Sequence, residues 1–283
     1  MKLFEGCVLA SDIDGTLINN NRLCSRNLEA IHRFVQAGGS FCLASGRSPL
    51  AARPIAEEIG CVTLSVLYNG GMVYDFSNNA VLSEKTLDPR AKQFLFSLTD
   101  RFCEIGAEAY VKTDPYIVHE TQEVLDHLAY ESLRGLRTDR DSLMRLPWNK
   151  ALALFEDARR CREVCREAQE LGLPCTFTES SCCIDGIPRY YLEQLPSGTD
   201  KAAGVKTMLS FLSVRKGGFF AIGDYDNDLG MLQAADCAAS VADAPEYIRK
   251  QCNFVGGTCQ NGAVADFIEY LFQQYRCGNA SEE

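Results

Sequence analysis

Four short apolar runs limit what this chain can fold into: Cys7-Val8-Leu9-Ala10, Ser40 to Ala44, Val62 to Leu67 and Gly218 to Ile222. The first suits a strand buried on both faces, Ser40 to Ala44 reads as a second buried strand, Val62 to Leu67 suits a third, and Gly218 to Ile222 is a further apolar strand. Helical patterns separate the first three. Ser25 can cap a helix whose Leu28, Ile31, Phe34 and Val35 fall on one face, with Gly38-Gly39 at its end. A second helix is expected from about Pro49 to Ile59. Strand, helix, strand, helix, strand is the rhythm of a parallel sheet with right-handed crossovers. The predicted fold class is therefore α/β, with a Rossmann-like parallel-sheet core.

From about residue 84 the texture changes. Charge increases, His119, His127 and Trp148 all fall here, and strands such as Ala109-Tyr110-Val111 and Ala151 to Phe155 alternate with helices of different spacing, one running from Asp157 to Leu171. The turn-forming Leu195-Pro196-Ser197-Gly198-Thr199 marks a return, followed by a helix from Lys201 to Leu212. A chain of 283 residues is long for one core and comfortable for two. The expected division is a core of residues 1–83 and 193–283 with an inserted α/β domain of 84–192.

The formal charge of −10 argues against nucleic acid or an anionic membrane as partner, so attraction for an anionic substrate must be local. Glu5 interrupts what would be an apolar signal core, and no run approaches a membrane span, so a cytoplasmic location is expected. Fourteen cysteines lie among strand and helix residues without a CxxC pair, which suits reduced thiols. Cys161/Cys165 and Cys182-Cys183 lack further ligands at zinc spacing, and the three histidines suit surface or packing positions. Asn279-Ala280-Ser281 matches a glycosylation pattern that means nothing inside a cell. A monomer or weak homo-oligomer is expected.

The strand ends carry the chemistry. They are Asp12 and Asp14 in Asp12-Ile13-Asp14-Gly15-Thr16, Ser45 and Arg47, Asn69 in Tyr68-Asn69-Gly70-Gly71, and Asp224, Asn227 and Asp228 in Gly223-Asp224-Tyr225-Asp226-Asn227-Asp228. In open parallel sheets the binding crevice lies beyond the carboxyl ends of the strands. Alternate residues of an extended chain project the same way, so Asp12 and Asp14 converge. Side by side and poorly solvated they repel, unless a cation sits there or one holds a proton. Taken singly, each feature has a plain reading: aspartates after strands cap helices and turns, Lys201 opens a helix where it can simply be solvated, and Arg47 can bind phosphate or pair with a carboxylate. The stretch from Asp224 is no calcium loop, since Leu229 stands where glycine is needed and Ala235 where the bidentate Glu belongs. Nor is Gly198 to Thr207 a phosphate-binding P-loop.

Taken together, the segments resemble the haloacid dehalogenase superfamily, in particular its Cof-type phosphatase branch with a large α/β cap. Asp12 to Thr16, Ser45, Lys201 and Gly223 to Asp228 match its four motifs in order; Asp243 stands where family members often carry Asn. The resemblance implies a Mg²⁺-dependent phosphatase for small phosphorylated metabolites such as sugar phosphates, with the cap selecting the leaving group. It implies Asp12 as nucleophile forming an aspartyl phosphate and Asp14 as acid then base. Asp12, Asp14 (through its backbone carbonyl) and Asp224 are implied as metal ligands, Ser45, Arg47, Lys201 and Asn227 as phosphate or substrate contacts, and Asp228 as a group orienting Lys201 or a metal-bound water. A phosphomutase or phosphotransferase on the same scaffold, or a phosphometabolite-binding protein without turnover, are the rival readings.

Overall fold

The computed structural model describes residues 2–19, 21–184 and 186–279, without the side chains of 181, 182 and 276–279. The glycosylation pattern at 279–281 and the Cys182 thiol lie outside that description. Contacts divide the chain into two units. One is Met1–Gly46, Arg53–Ser83 and Asp200–Glu283; the other is Arg47–Ala52 and Glu84–Thr199. No helix among the described residues is long and apolar enough to cross a membrane.

Along the chain come β1 (Val8–Ser11), the small ribbon β2 (Ile18–Asn19) and β3 (Arg22–Leu23), α1 (Ser25–Gln36), β4 (Ser40–Ala44), α2 (Pro49–Ile59), β5 (Val62–Leu67), β6 (Met72–Asp75) and β7 (Ala80–Glu84). The second unit holds α3 (Pro89–Arg101), β8 (Gly106–Val111), β9 (Asp114–His119), α4 (Gln122–Tyr130), α5 (Arg140–Arg145), β10 (Lys150–Phe155), α6 (Ala158–Glu170), β11 (Cys175–Ile184) and β12 (Ile187–Pro196). The first unit resumes with α7 (Lys201–Leu209), β13 (Phe219–Gly223), α8 (Leu229–Ala234), β14 (Cys237–Ser240), α9 (Glu246–Arg249), β15 (Phe254–Val255) and α10 (Ala263–Asn279).

In the first unit the sheet order is β15-β14-β13-β1-β4-β5-β6-β7. The strands from β15 to β5 run parallel, with Val8 opposite Phe219 on one side and Ser40 on the other. All of β1 and β13 is buried, as two-sided apolar runs require. β6 turns back antiparallel to β5. One detail of α1 differs from the sequence expectation: Ser25 lies inside the helix, and the cap position falls to Cys24, with no side-chain cap bond. The buried stripe of α1 also includes Asn27, whose amide donates to Leu17 O (3.2 Å) and accepts from Ala265 N (2.9 Å), tying α1 to the start of α10.

The second unit is an antiparallel sheet in the order β11-β12-β10-β8-β9. It continues to Thr199, past residue 192, because β12 runs on to Pro196. One face carries Ala107, Ala109, Ala151, Ala153 and Leu192, packed in an apolar cluster with Phe96 of α3, Leu143 of α5, Val164 of α6 and the fully buried Trp148. By alternation Glu108, Lys150 and Glu193 stand on the other face. There Glu108 accepts from Tyr110 Oη (2.5 Å) and lies 3.0 Å from His127 Nδ1, while Lys150 pairs with Glu193 at 3.0 Å. Burial opposes a charge on His127, but the Glu108 carboxylate outweighs it and holds the imidazole above its usual range. Every cysteine whose side chain is described is a free thiol.

Candidate active site

Because β1, β4, β5 and β13 are parallel neighbours, their carboxyl ends lie along one edge of the first unit's sheet. Asp12 follows β1 directly; its N–H continues the ladder to Ile222 O (3.0 Å), and the residue is 5% exposed. Asp14, two residues on, is exposed. Gly15 turns the backbone with φ +82°, and a Cβ there would lie 2.6 Å from Asp224 Oδ2, so the close approach of Asp224 needs glycine. Thr16 Oγ1 donates to Asp224 Oδ1 at 2.9 Å. The end of β1 therefore holds the carboxylate at the end of β13 in place.

Lys201 comes from α7. Asp200 caps this helix, its carboxylate accepting from Ala203 N (2.7 Å), and Lys201 takes the first helical position. Its ammonium is not solvated: the side chain is 0% exposed, and Nζ donates to Asp12 Oδ1 at 2.5 Å and to Asp228 Oδ1 at 2.6 Å. The other Asp228 oxygen accepts from Asp224 N (3.0 Å) and Tyr225 N (3.2 Å). Both oxygens of Asp228 are thus engaged, which suits a group that orients others.

Carboxylate oxygens of Asp12, Asp224 and Asp228 all lie within 4.8 Å of one another. Burial pushes the Asp12 carboxyl well up; Lys201 draws it down, and Asp228, Asp224 and Asp14 push it further up. Burial and then Asp228 likewise raise Asp224, to about 6, against the hydrogen bond from Thr16. For Lys201 burial works against the charge, yet Asp12 and Asp228 outweigh it and hold the ammonium above its ordinary range. One cation shared among these carboxylates leaves an excess of negative charge. Hard oxygen donors in that state are a donor set suited to a hard divalent cation.

Ser45 follows β4 directly and is 2% exposed. Its N–H donates to Val66 O (2.8 Å), and its carbonyl accepts from Asn69 N (3.0 Å). Asn227, in the loop after β13, is exposed and donates from Nδ2 to Asn69 Oδ1 (3.2 Å). Arg47 is buried, grouped with the second unit, and donates to Ala51 O at 3.4 Å. Two residues without a role in the sequence reading belong to this framework: Thr16, the last member of the Asp12 motif, and Asn69, whose signal was its place at the end of a buried strand before two glycines.

The sequence profile of haloacid dehalogenase-like hydrolases matches residues 9–268, from within β1 to the first turns of α10. The chain belongs to this family. Among similar proteins of known name, the 5-amino-6-(5-phospho-D-ribitylamino)uracil phosphatase YitU of Bacillus subtilis (strain 168) is 25% identical over 277 residues, covering 94% of this chain and 97% of its own. The HMP-PP phosphatase of Cronobacter sakazakii is 25% identical over 269 residues, covering 92% and 94%. Among solved structures, a haloacid dehalogenase-like hydrolase from Bacteroides thetaiotaomicron superposes with a TM-score of 0.78 at 24% identity, covering 94% of this chain and 100% of that one. TM0651 from Thermotoga maritima gives 0.79 at 18% identity, covering 93% and 97%. In this haloacid dehalogenase-like hydrolase, the buried Lys201 joins the ends of the segments that carry Asp12 and Asp228.

Proposed function

We propose that the protein is a Mg²⁺-dependent phosphatase of small phosphorylated metabolites, sugar phosphates among them, acting through an aspartyl phosphate on Asp12. The observation that carries this reading is the buried ion pair of Lys201 with Asp12 and Asp228 beside Asp224, in a hydrolase whose relatives are named phosphatases. A structural salt bridge needs one carboxylate. Here one ammonium serves two, with a third close by, and burial makes that costly unless the charge has a use.

The donor set fits a hard divalent cation, with Asp12, Asp224 and the backbone carbonyl of Asp14 to hold it. When bound, Mg²⁺ supplies charge neutralisation, so that a carboxylate can meet an anionic phosphate ester. The remaining work falls to the chain. Asp12 attacks phosphorus and the ester oxygen departs. Asp14, exposed and two residues on, gives that oxygen its proton and then takes one from the water that attacks the aspartyl phosphate, releasing inorganic phosphate and restoring Asp12. Lys201, Ser45 and Asn227 hold phosphoryl oxygens, with Arg47 as a further contact for the phosphate or the substrate. Asp228 keeps Lys201 aimed at Asp12. Catalysis is assigned to the first unit and leaving-group selection to the second.

The test is a screen of the purified full chain with Mg²⁺ against a broad panel of phosphometabolites in oxygen-18 water. Hydrolysis releases phosphate with solvent oxygen at each turnover and needs no bisphosphate activator. Isomerised sugar phosphate without free phosphate would identify a mutase, and saturable binding without turnover a binding protein; either overturns the reading.

A further inference from the structure

The turn after β5 is a constrained stretch of backbone near the site. Tyr68 and Asn69 have φ of +53° and +51°, two successive side-chain-bearing residues in the left-handed region, and both are buried. That conformation is disfavoured for residues with a Cβ and persists where the surroundings over-determine it. Gly70 continues the turn at φ +101°, where a Cβ would collide with the carbonyl oxygen of Asp200, the cap of the helix that begins with Lys201.

Asn69 makes its contacts from the middle of this turn. Its N–H is bound to Ser45 O at 3.0 Å, and its Oδ1 accepts from Asn227 Nδ2 at 3.2 Å. Its amide nitrogen also occupies the space over Gly46, where a Cβ would come within 2.9 Å. One buried residue thus holds Ser45, the residue after β4, through its backbone N–H and the segment after β13 through its side chain, while the adjacent Gly70 abuts the cap of α7. Asn227 is exposed, so nothing else about its burial sets the direction of its amide.

We propose that Asn69 is a positioning residue for phosphoryl transfer: it locks Ser45 and Asn227 into one frame and fixes which edge of the Asn227 amide faces the phosphoryl oxygens. The proposal rests on the phosphatase reading above. A turn role alone would be met by glycine, which adopts positive φ freely. What the amide adds to the turn is its bond to Asn227.

Asn69→Gly keeps the left-handed backbone and removes the side chain. It is expected to leave the unfolding midpoint in place, lower kcat/KM for a small phosphate ester about tenfold, and weaken binding of inorganic phosphate measured by calorimetry. Asn227→Ala added to Asn69→Gly is expected to cost no more than Asn227→Ala alone, because both remove the same arrangement. Asn69→Asp tolerates the same backbone and still accepts from Asn227, so in that background Asn227→Ala should cost as much as in the wild type. Unchanged kinetics and phosphate binding in Asn69→Gly, or losses that multiply in the double variant, overturn the proposal while leaving the phosphatase reading intact. A wild type that neither turns over esters nor binds phosphate overturns both.

Discussion

Replacing Lys201 by methionine removes a charge while keeping the length of an unbranched side chain, and the geometry sets the size of the effect. Nζ lies 2.5 Å from Asp12 and 2.6 Å from Asp228, with the side chain fully buried. Removing one partner of a buried pair costs about 3–5 kcal/mol, because the carboxylates it served stay buried without their cation. At about 2–4 °C per kcal/mol for a unit of this size, the transition of the first unit in chelator at pH 7.5 should fall by about 6–20 °C. The loss should shrink in acid. Burial already holds the Asp12 carboxyl above its usual range, and without Lys201 it moves higher. A carboxyl raised in the folded state binds its proton more tightly there than in the unfolded chain, so the variant regains stability as pH falls through that raised value. Scanning calorimetry across pH measures both. The same variant should lower kcat about 10²–10³-fold if Lys201 also steadies the transferring phosphoryl group. An unchanged or higher transition for Lys201→Met would show that the desolvation of Lys201 cancels its ion pairs, and the reasoning fails.

Further outcomes are expected. Asp12→Asn should abolish turnover with the fold retained, whereas Asp14→Asn should slow esters with poor leaving groups far more than aryl phosphates; equal, mild losses in steady-state assays would contradict the division of roles. Chelator should stop hydrolysis and Mg²⁺ restore it, with Ca²⁺ a poor substitute because it prefers a larger, looser shell of ligands; full turnover in metal-free buffer contradicts this. In the second unit, His127 is raised through Glu108 and Glu131, against burial and Lys150, with the Tyr191 ring packed 5.1 Å away. Its contribution should be complete below about pH 6.5 and lost as pH rises through the raised folded value. The gap in unfolding midpoint between wild type and His127→Gln should therefore narrow above neutrality; a gap independent of pH rules out the ion pair.

Much of the first unit could be read from the chain. Ser40–Ala44, Pro49–Ile59 and Val62–Leu67 emerge with the limits expected, because strand-like and helix-like apolar patterns there are bounded by turn residues such as Gly38-Gly39, Gly46 and Gly60. That Asp12 and Asp224 end strands was legible for the same reason. The bond from Thr16 to Asp224 was not, since it joins residues 208 apart and depends on which strands become neighbours. The left-handed pair Tyr68-Asn69 was equally hidden, because only the second of these residues is of a type that favours such a backbone. In the second unit β8 reads as a mixture of small, acidic and aromatic residues, yet all of it is buried. Its polar face is closed by His127 from α4, and no local pattern announces a partner 19 residues away.

The position of β1 in the middle of its sheet bears on how the protein is made. Its partner on one side, β4, follows within a few dozen residues, but β13 on the other side is separated from it by nearly all of the second unit. At about 5–20 residues per second, a ribosome needs roughly 10–40 s to travel from Asp12 to Asp224. Throughout that interval one edge of Val8–Ser11 has its backbone donors and acceptors without their native strand, a template for pairing with another nascent chain. The second unit, whose strands all lie in the stretch from Glu84 to Thr199, has them complete before β13 emerges. Substitutions that slow the docking of β13 therefore prolong a sticky intermediate. Their first symptom should be loss of soluble yield during expression, ahead of any change in the catalytic constants of the molecules that complete the sheet.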